Sequence, residues 1–205
     1  MNTVSSAKKS IGVRRSWSTR DIVIASVIAV ACGLVFWLWS AVIYPLATSA
    51  FVLAPEFAPI FGGGWLIAGV LGGLVVRKPG AALYCEILGA IIEGLLGTHF
   101  GWTVVISGIT QGLGAEIIFA LFLYRHWNLA VATLAGAASG IMMGINEIIL
   151  YYAAELSPAK MVIYTLSAAV SGAVIAGVLS WIAAKTLAQT GVITGPRTNV
   201  ARKSA

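Results

Sequence analysis

Four carboxylic acids stand inside otherwise apolar stretches of this 205-residue sequence: Glu86, Glu93, Glu116 and Glu147. No Lys or Arg shares those stretches. An ionisable side chain at mid-bilayer costs on the order of 2.5–3.5 kcal/mol even on a lenient insertion scale, so four together call for a physical reason. A carboxyl in such a place stays protonated, accepts hydrogen bonds from fixed donors, or binds a cation that arrives from outside. Without fixed counter-charges, the group as a whole points toward a cationic or proton-carrying ligand.

Helical geometry sorts the four. Glu86 and Glu93 are seven residues apart, two turns, and project from one face. If their span runs outward, Glu93 lies roughly 5–7 Å from its outer end and Glu86 about 10 Å deeper. Glu147 lies roughly 8 Å below the outer end of its own span, on one face with Gly140, Gly144 and Tyr151, with Asn146 beside it. Ser107 and Gln111 share a face of a span that runs inward from Trp102, and Glu116 lies about 21 Å down it. Glu93, Gln111, Asn146 and Glu147 are therefore expected to meet in the outer half of a bundle, with Glu86 as floor. Glu116 is expected to be a buried packing acid. Trp37, Trp39, Trp65, Trp102, Tyr44, Tyr151 and Tyr152 all fall near outer span ends. Most belong to the interfacial aromatic belt, but acids, amides and Trp rings together suit a flat cationic heteroaromatic ligand. Trp102 or another outer Trp is the expected stacking platform, and Trp37 and Trp65 are expected to support the site. His99 and His126 read as interfacial histidines.

The elements that must position these groups are membrane helices. Hydrophobic residues make up 59% of the chain and charged residues 10%, against roughly 45–50% and about 25% in soluble domains. Apolar runs at residues 22–40, 57–76, 81–96, 102–124, 129–152 and 161–184 predict an all-α integral membrane protein, a six-transmembrane-helix bundle. The third run, 16 residues long, is expected to extend into Pro79-Gly80 or Gly97-Thr98. Residues 1–21 form a basic tail with Lys8, Lys9, Arg14, Arg15 and Arg20, residues 22–187 the membrane domain, and residues 188–205 a second tail. The first run is too long for a signal-peptide core. With a cytoplasmic amino terminus, the inner segments hold every basic residue except Lys160, so the positive-inside rule places both termini in the cytoplasm. The net charge of +6 is thereby a topology signal, with no case for nucleic acid. The first outer connection, residues 41–59, carries Pro45, Pro55 and Pro59 among apolar residues. It is expected to lie on the headgroups or to cover an outward-facing cavity.

Other chemistry is missing. The sequence has no G-x-x-x-x-G-K-[ST] loop, no G-x-S-x-G elbow and no H-E-x-x-H, so an enzyme is disfavoured and neither cofactor nor metal is expected. Cys32 and Cys85 sit in apolar runs and read as small hydrophobes. Any energy for transport comes from an ion gradient or from another polypeptide. Small residues recur at four-residue spacing in Ala25-Ala29-Gly33, Gly69-Gly73, Gly108-Gly112 and Gly136-Gly140-Gly144, mostly for internal packing. The stripe on the first span could alternatively receive a partner helix.

Over residues 17–195 the sequence resembles the substrate-capture (S) components of energy-coupling-factor (ECF) ABC transporters, of the thiamin and hydroxymethylpyrimidine type. The resemblance is carried by WSTRDIVIASVIAVACGLVFW from Trp17 to Trp37, by Glu86-Ile-Leu-Gly-Ala-Ile-Ile-Glu93-Gly-Leu-Leu-Gly97, and by Gln111-Gly-Leu-Gly-Ala-Glu116 with Tyr124-Arg125. It implies a vitamin binder in the bacterial cytoplasmic membrane that hands its ligand to a transmembrane coupling protein and ATPase subunits. It also implies docking through an A-x-x-x-A stripe, matched here by Ala25 and Ala29 with Gly33 one turn on. The expected ligand set is Glu93, Glu147, Gln111 and Asn146, with Trp102 and Tyr151 beside it and Glu86 in support. The competing expectation is a small proton- or cation-coupled carrier or channel that uses the glutamates as a relay.

Overall fold

A computed structural model describes residues 16–190. The basic residues Lys8, Lys9, Arg14 and Arg15, and the tail beyond Thr190, lie outside the described residues. Among the described residues every regular element is helical: α1 (Thr19–Leu38), α2 (Tyr44–Ala50), α3 (Ile67–Val76), α4 (Ala81–Leu96), α5 (Thr103–Leu121), α6 (Leu129–Glu147), α7 (Pro158–Ser171) and α8 (Ser180–Gln189). Three π-helical turns, Trp39–Ile43, Ile148–Tyr152 and Gly172–Leu179, and a 3-10 segment, Pro55–Leu66, join or extend them.

The first helix starts where its chemistry permits. Ser18 Oγ accepts the Asp21 amide while Asp21 accepts the Ser18 amide, a reciprocal cap that satisfies two donors left free by the first turn. From there α1, a π turn and α2 form one rod over Thr19–Ala50. The expectation of a loop beginning at Ala41 is corrected here. Pro45 lies just after the π turn Trp39–Ile43, and the helix continues through it to Ala50. The end of the expected connection and the start of the expected second span are 3-10 helix, Pro55–Leu66, which carries the chain into α3.

Among the described residues five helical stretches are long and apolar enough to cross a membrane: Thr19–Ala50, Pro55–Val76, Thr103–Leu121, Leu129–Tyr152 and Pro158–Gln189. A further helix, α4, is 16 residues and packs against α1, α3 and α5. It does not extend as its length suggested. Gly80 and Gly97 both adopt φ 84°, a left-handed conformation that ends the helix at either side. At the end of α5, Leu123 and Tyr124 also take positive φ, so that helix stops at Leu121 rather than continuing to Tyr124.

The bundle has two distinct ends. Arg77, Lys78, Arg125 and Lys185 follow or lie within the ends of α3, α5 and α8. There Arg77 sits over the Trp127 ring at 5.8 Å and Trp17 Nε1 donates to the Pro79 carbonyl at 2.9 Å. At the opposite end α2, the 3-10 segment, the turn after α6 and the start of α7 surround a cavity. We refer to the basic end and the cavity end.

The small-residue stripes lie inside the bundle. Gly136, Gly140 and Gly144 set α6 against the backbone of Gly172, Ala168 and Thr165, and Gly108 and Gly112 set α5 against α4. The stripe Ala25-Ala29-Gly33 is likewise internal: all three residues are buried, and a side chain at position 33 would collide with Ile92 and the Gly89 carbonyl of α4. In this structure the stripe expected to receive a partner helix packs against α4. Ridge-free backbone contact between α1 and α4 is what the small residues provide.

Candidate functional site

Two chambers open at the cavity end and share Trp65 and Glu147 as common walls. The wider has a volume of about 380 Å³, within the range of small-ligand sites. Trp39, Tyr44, Phe51, Tyr152, Tyr164 and Lys160 line it with Trp65 and Glu147. The narrower, about 30 Å³, is lined by Glu93, Phe100, Ser107, Gln111 and Tyr151 together with the shared pair. The π turn Trp39–Ile43 contributes Trp39 to the wide chamber, and the π turn Ile148–Tyr152 contributes a Tyr to each. The wider backbone register of such turns is a recurrent feature of functional sites.

Glu93 and Glu147 in these walls each have a hydroxyl partner. Ser40 Oγ donates to Glu93 Oε1 at 2.5 Å, and Tyr164 Oη donates to Glu147 Oε2 at 2.7 Å. Ser40 in turn accepts from Trp65 Nε1 at 3.0 Å. Asn146 Nδ2 donates to Ser107 Oγ at 2.9 Å, and Tyr151 Oη lies 2.6 Å from Thr103 Oγ1. Aromatic rings close the space between the helices. Tyr44 packs on Trp65 at 5.9 Å and stacks on His99 at 5.0 Å, and Phe100 meets Trp65 edge-on at 5.9 Å. At the rim Lys160 pairs with Glu56 at 3.2 Å, tying the 3-10 segment to α7.

The other two acids do different work. Glu86, 1% exposed, accepts the amide of Gly69 in the first turn of α3. Glu116 accepts the amides of Gly80 (2.6 Å) and Ala82 (3.0 Å) at the start of α4, and the Tyr124 hydroxyl at 2.7 Å. Both carboxyls sit at the amino end of a neighbouring helix, where unpaired N–H groups and the helix dipole favour an acceptor. Among the described residues no three His, Cys, Asp or Glu side chains gather for a metal ion.

Of the residues expected in the site, the fold brings Glu93, Gln111, Glu147 and Tyr151 around one chamber. Asn146 reaches it through Ser107. Glu86 is not a floor to either chamber, because its carboxyl turns toward α3. Trp102 is 62% exposed, with its ring against Gly94, and lines neither chamber. Trp37 donates to the Gly97 carbonyl at 3.1 Å and is 39% exposed. Trp65, expected only to support the site, is the indole common to both chambers. Ser40, Tyr164 and Lys160 belong to the site without a sequence signal that singles them out. Ser40 and Tyr164 lie within apolar runs, and nothing in their local spacing marks them.

Comparison with known proteins agrees with this architecture. Residues 20–142 match the family model described as "ABC-type cobalt transport system, permease component". A solved structure described as an S-component of ECF transporter superposes with a TM-score of 0.80 at 35% identity, covering 87% of this chain and 89% of that one. The chain belongs to the S components of ECF transporters. This S component is also 38% identical, over 181 residues, to YkoE of Bacillus subtilis (strain 168), a protein named for HMP/thiamine permease function. The match spans 88% of this chain and 89% of YkoE. The relatives of this S component are thus membrane transport proteins, and the helices able to span a membrane fit that assignment.

Proposed function

We propose that this S component captures thiamin or a related pyrimidine in the two-chambered site and delivers it to an ATP-driven module. The observation that carries the reading is the shared wall of Trp65 and Glu147 between a narrow chamber holding Glu93 and Gln111 and a wide one lined by tyrosines. A flat ring stacks on indole, an amino group donates to a carboxylate, and a permanent cation gains from the second carboxylate. Glu93 and Glu147 supply the acceptors for the ligand's amino, cationic or hydroxymethyl groups, with Gln111, Tyr151 and Asn146 completing the polar contacts. The name of the YkoE relative supports this ligand class.

The membrane arrangement follows from charge. All six helices cross, α4 included, with the basic end and both termini cytoplasmic and the cavity end outside, in the bacterial cytoplasmic membrane. Arg77, Lys78, Arg125 and Lys185 at one end, and Lys160 paired with Glu56 at the other, support that orientation. The module is a transmembrane coupling protein with ATPase subunits, and capture alone moves no ligand.

Calorimetric titration of the purified chain with thiamin and with hydroxymethylpyrimidine tests this. Saturable binding of one or both, with no gradient-driven flux in proteoliposomes holding this chain alone, is the expected result. Absence of binding to both removes the ligand class, and flux without partners removes capture as the function.

A further inference from the structure

Ser40 is buried, 2% exposed, at the point where the first rod widens into its π turn. Its hydroxyl lies between two groups of the site, 3.0 Å from Trp65 Nε1 and 2.5 Å from Glu93 Oε1. An indole N–H only donates, so Ser40 Oγ must accept from Trp65, and its single proton goes to Glu93. Hydrogen-bond polarity is thereby fixed from the ring to the carboxyl. We propose that Ser40 is a positioning residue that locks the Trp65 ring and the Glu93 carboxyl into one unit and leaves Glu93 to act toward the ligand as an acceptor.

This goes beyond the capture reading and rests on it for the identity of the ligand. Trp65 is the wall of both chambers and Glu93 belongs to the narrow one, so a shift of either would spoil stacking and hydrogen bonding at once. The ligand class selected is one that presents a flat face and, in the same plane, an N–H or O–H donor at its edge. Ser40 touches no ligand in this scheme. Its effect is felt through the orientation of two residues that do.

The full chain in detergent tests this with a small set of substitutions. Ser40→Ala and Ser40→Cys should each weaken thiamin and hydroxymethylpyrimidine by about tenfold, while Ser40→Thr, which keeps the hydroxyl, should stay within about threefold. Cysteine keeps the volume and loses a strong donor, so a residue that only fills space would make Ser40→Cys resemble the native protein. That result overturns the proposal. A thermal-unfolding cycle of Ser40→Ala, Glu93→Ala and the double variant reads the same link with no ligand present. Melting temperatures non-additive by about 2 °C or more are expected, and additive shifts would refute the link. Should the native chain bind neither compound while the cycle stays non-additive, the ligand assignment falls and the Ser40 link stands. If the native chain binds and both experiments show independence, the link falls and the ligand assignment stands.

Discussion

At the amino ends of α3 and α4, Glu86 and Glu116 accept backbone amides, whereas around the cavity Glu93 and Glu147 accept hydroxyls from Ser40 and Tyr164. The same side chain therefore serves two purposes in one bundle. A backbone amide is fixed by its helix and cannot turn away without unwinding it. A carboxylate held through one oxygen by a Ser or Tyr hydroxyl keeps acceptor capacity for an incoming donor. Glu86 and Glu116, which accept backbone amides, build the scaffold, and Glu93 and Glu147, which accept side-chain hydroxyls, line the chambers.

The largest effect should come from the shared wall. Trp65→Ala removes the ring common to both chambers and is expected to weaken ligand binding by about 100-fold or more, since stacking and the Ser40 link are lost together. Trp102→Ala, at an exposed indole of the same end, should change affinity by less than about threefold in the same titration. Equal losses would break the assignment of Trp65 as the platform.

Glu147→Gln should follow, with a loss of about 10- to 100-fold for thiamin, the worth of a charged hydrogen bond at roughly 1.5–3 kcal/mol. The amide-held class behaves oppositely. Glu116→Ala strands the Gly80 and Ala82 amides and should cost about 1–3 kcal/mol of stability, a fall of several degrees in melting temperature, with affinity nearly unchanged. A Glu116 variant that melts normally but binds poorly would contradict the division.

The smallest expected effect concerns pH. Partial burial holds the His99 imidazole below its usual range, so the unfolded chain binds the proton more readily. Stability from neutral His99 is full above about pH 6.5 and is lost as pH falls through that value toward the folded one. Melting curves taken between about pH 5 and 7.5 should slope in that direction, and His99→Gln should flatten the slope. An unchanged slope would show that burial at His99 does not favour the neutral ring.

Much of this is legible in the sequence. Six apolar runs and the meeting of Glu93, Gln111, Glu147 and Tyr151 follow from periodicity and spacing, because helix direction and face fix both depth and orientation, and the family resemblance rests on particular segments such as Glu86 to Gly97. What spacing could not give is a contact between distant helices. Glu86 shares a face with Glu93 yet turns to the Gly69 amide, seventeen residues back on α3, and no period encodes that pairing. The Ala25-Ala29-Gly33 stripe marks close approach without saying whether the neighbour is α4 or another chain. Trp65 lies near an outer end like several other tryptophans, and only the fold distinguishes it from Trp102. The loop expected from Pro45, Pro55 and Pro59 is largely helical: Pro45 lies just after a π turn, Pro55 starts the 3-10 segment, and Pro59 lies within that segment.

The division between the two kinds of acid meets its sharpest test on α4, where one substitution can be made twice on the same face. Calorimetric titration of thiamin into Glu93→Gln and Glu86→Gln should show a loss of about tenfold or more for the first and less than about threefold for the second. The second is mild because a glutamine side chain at that position keeps an oxygen for the Gly69 amide. Equal losses at the two positions, or a greater loss at Glu86, would contradict the account.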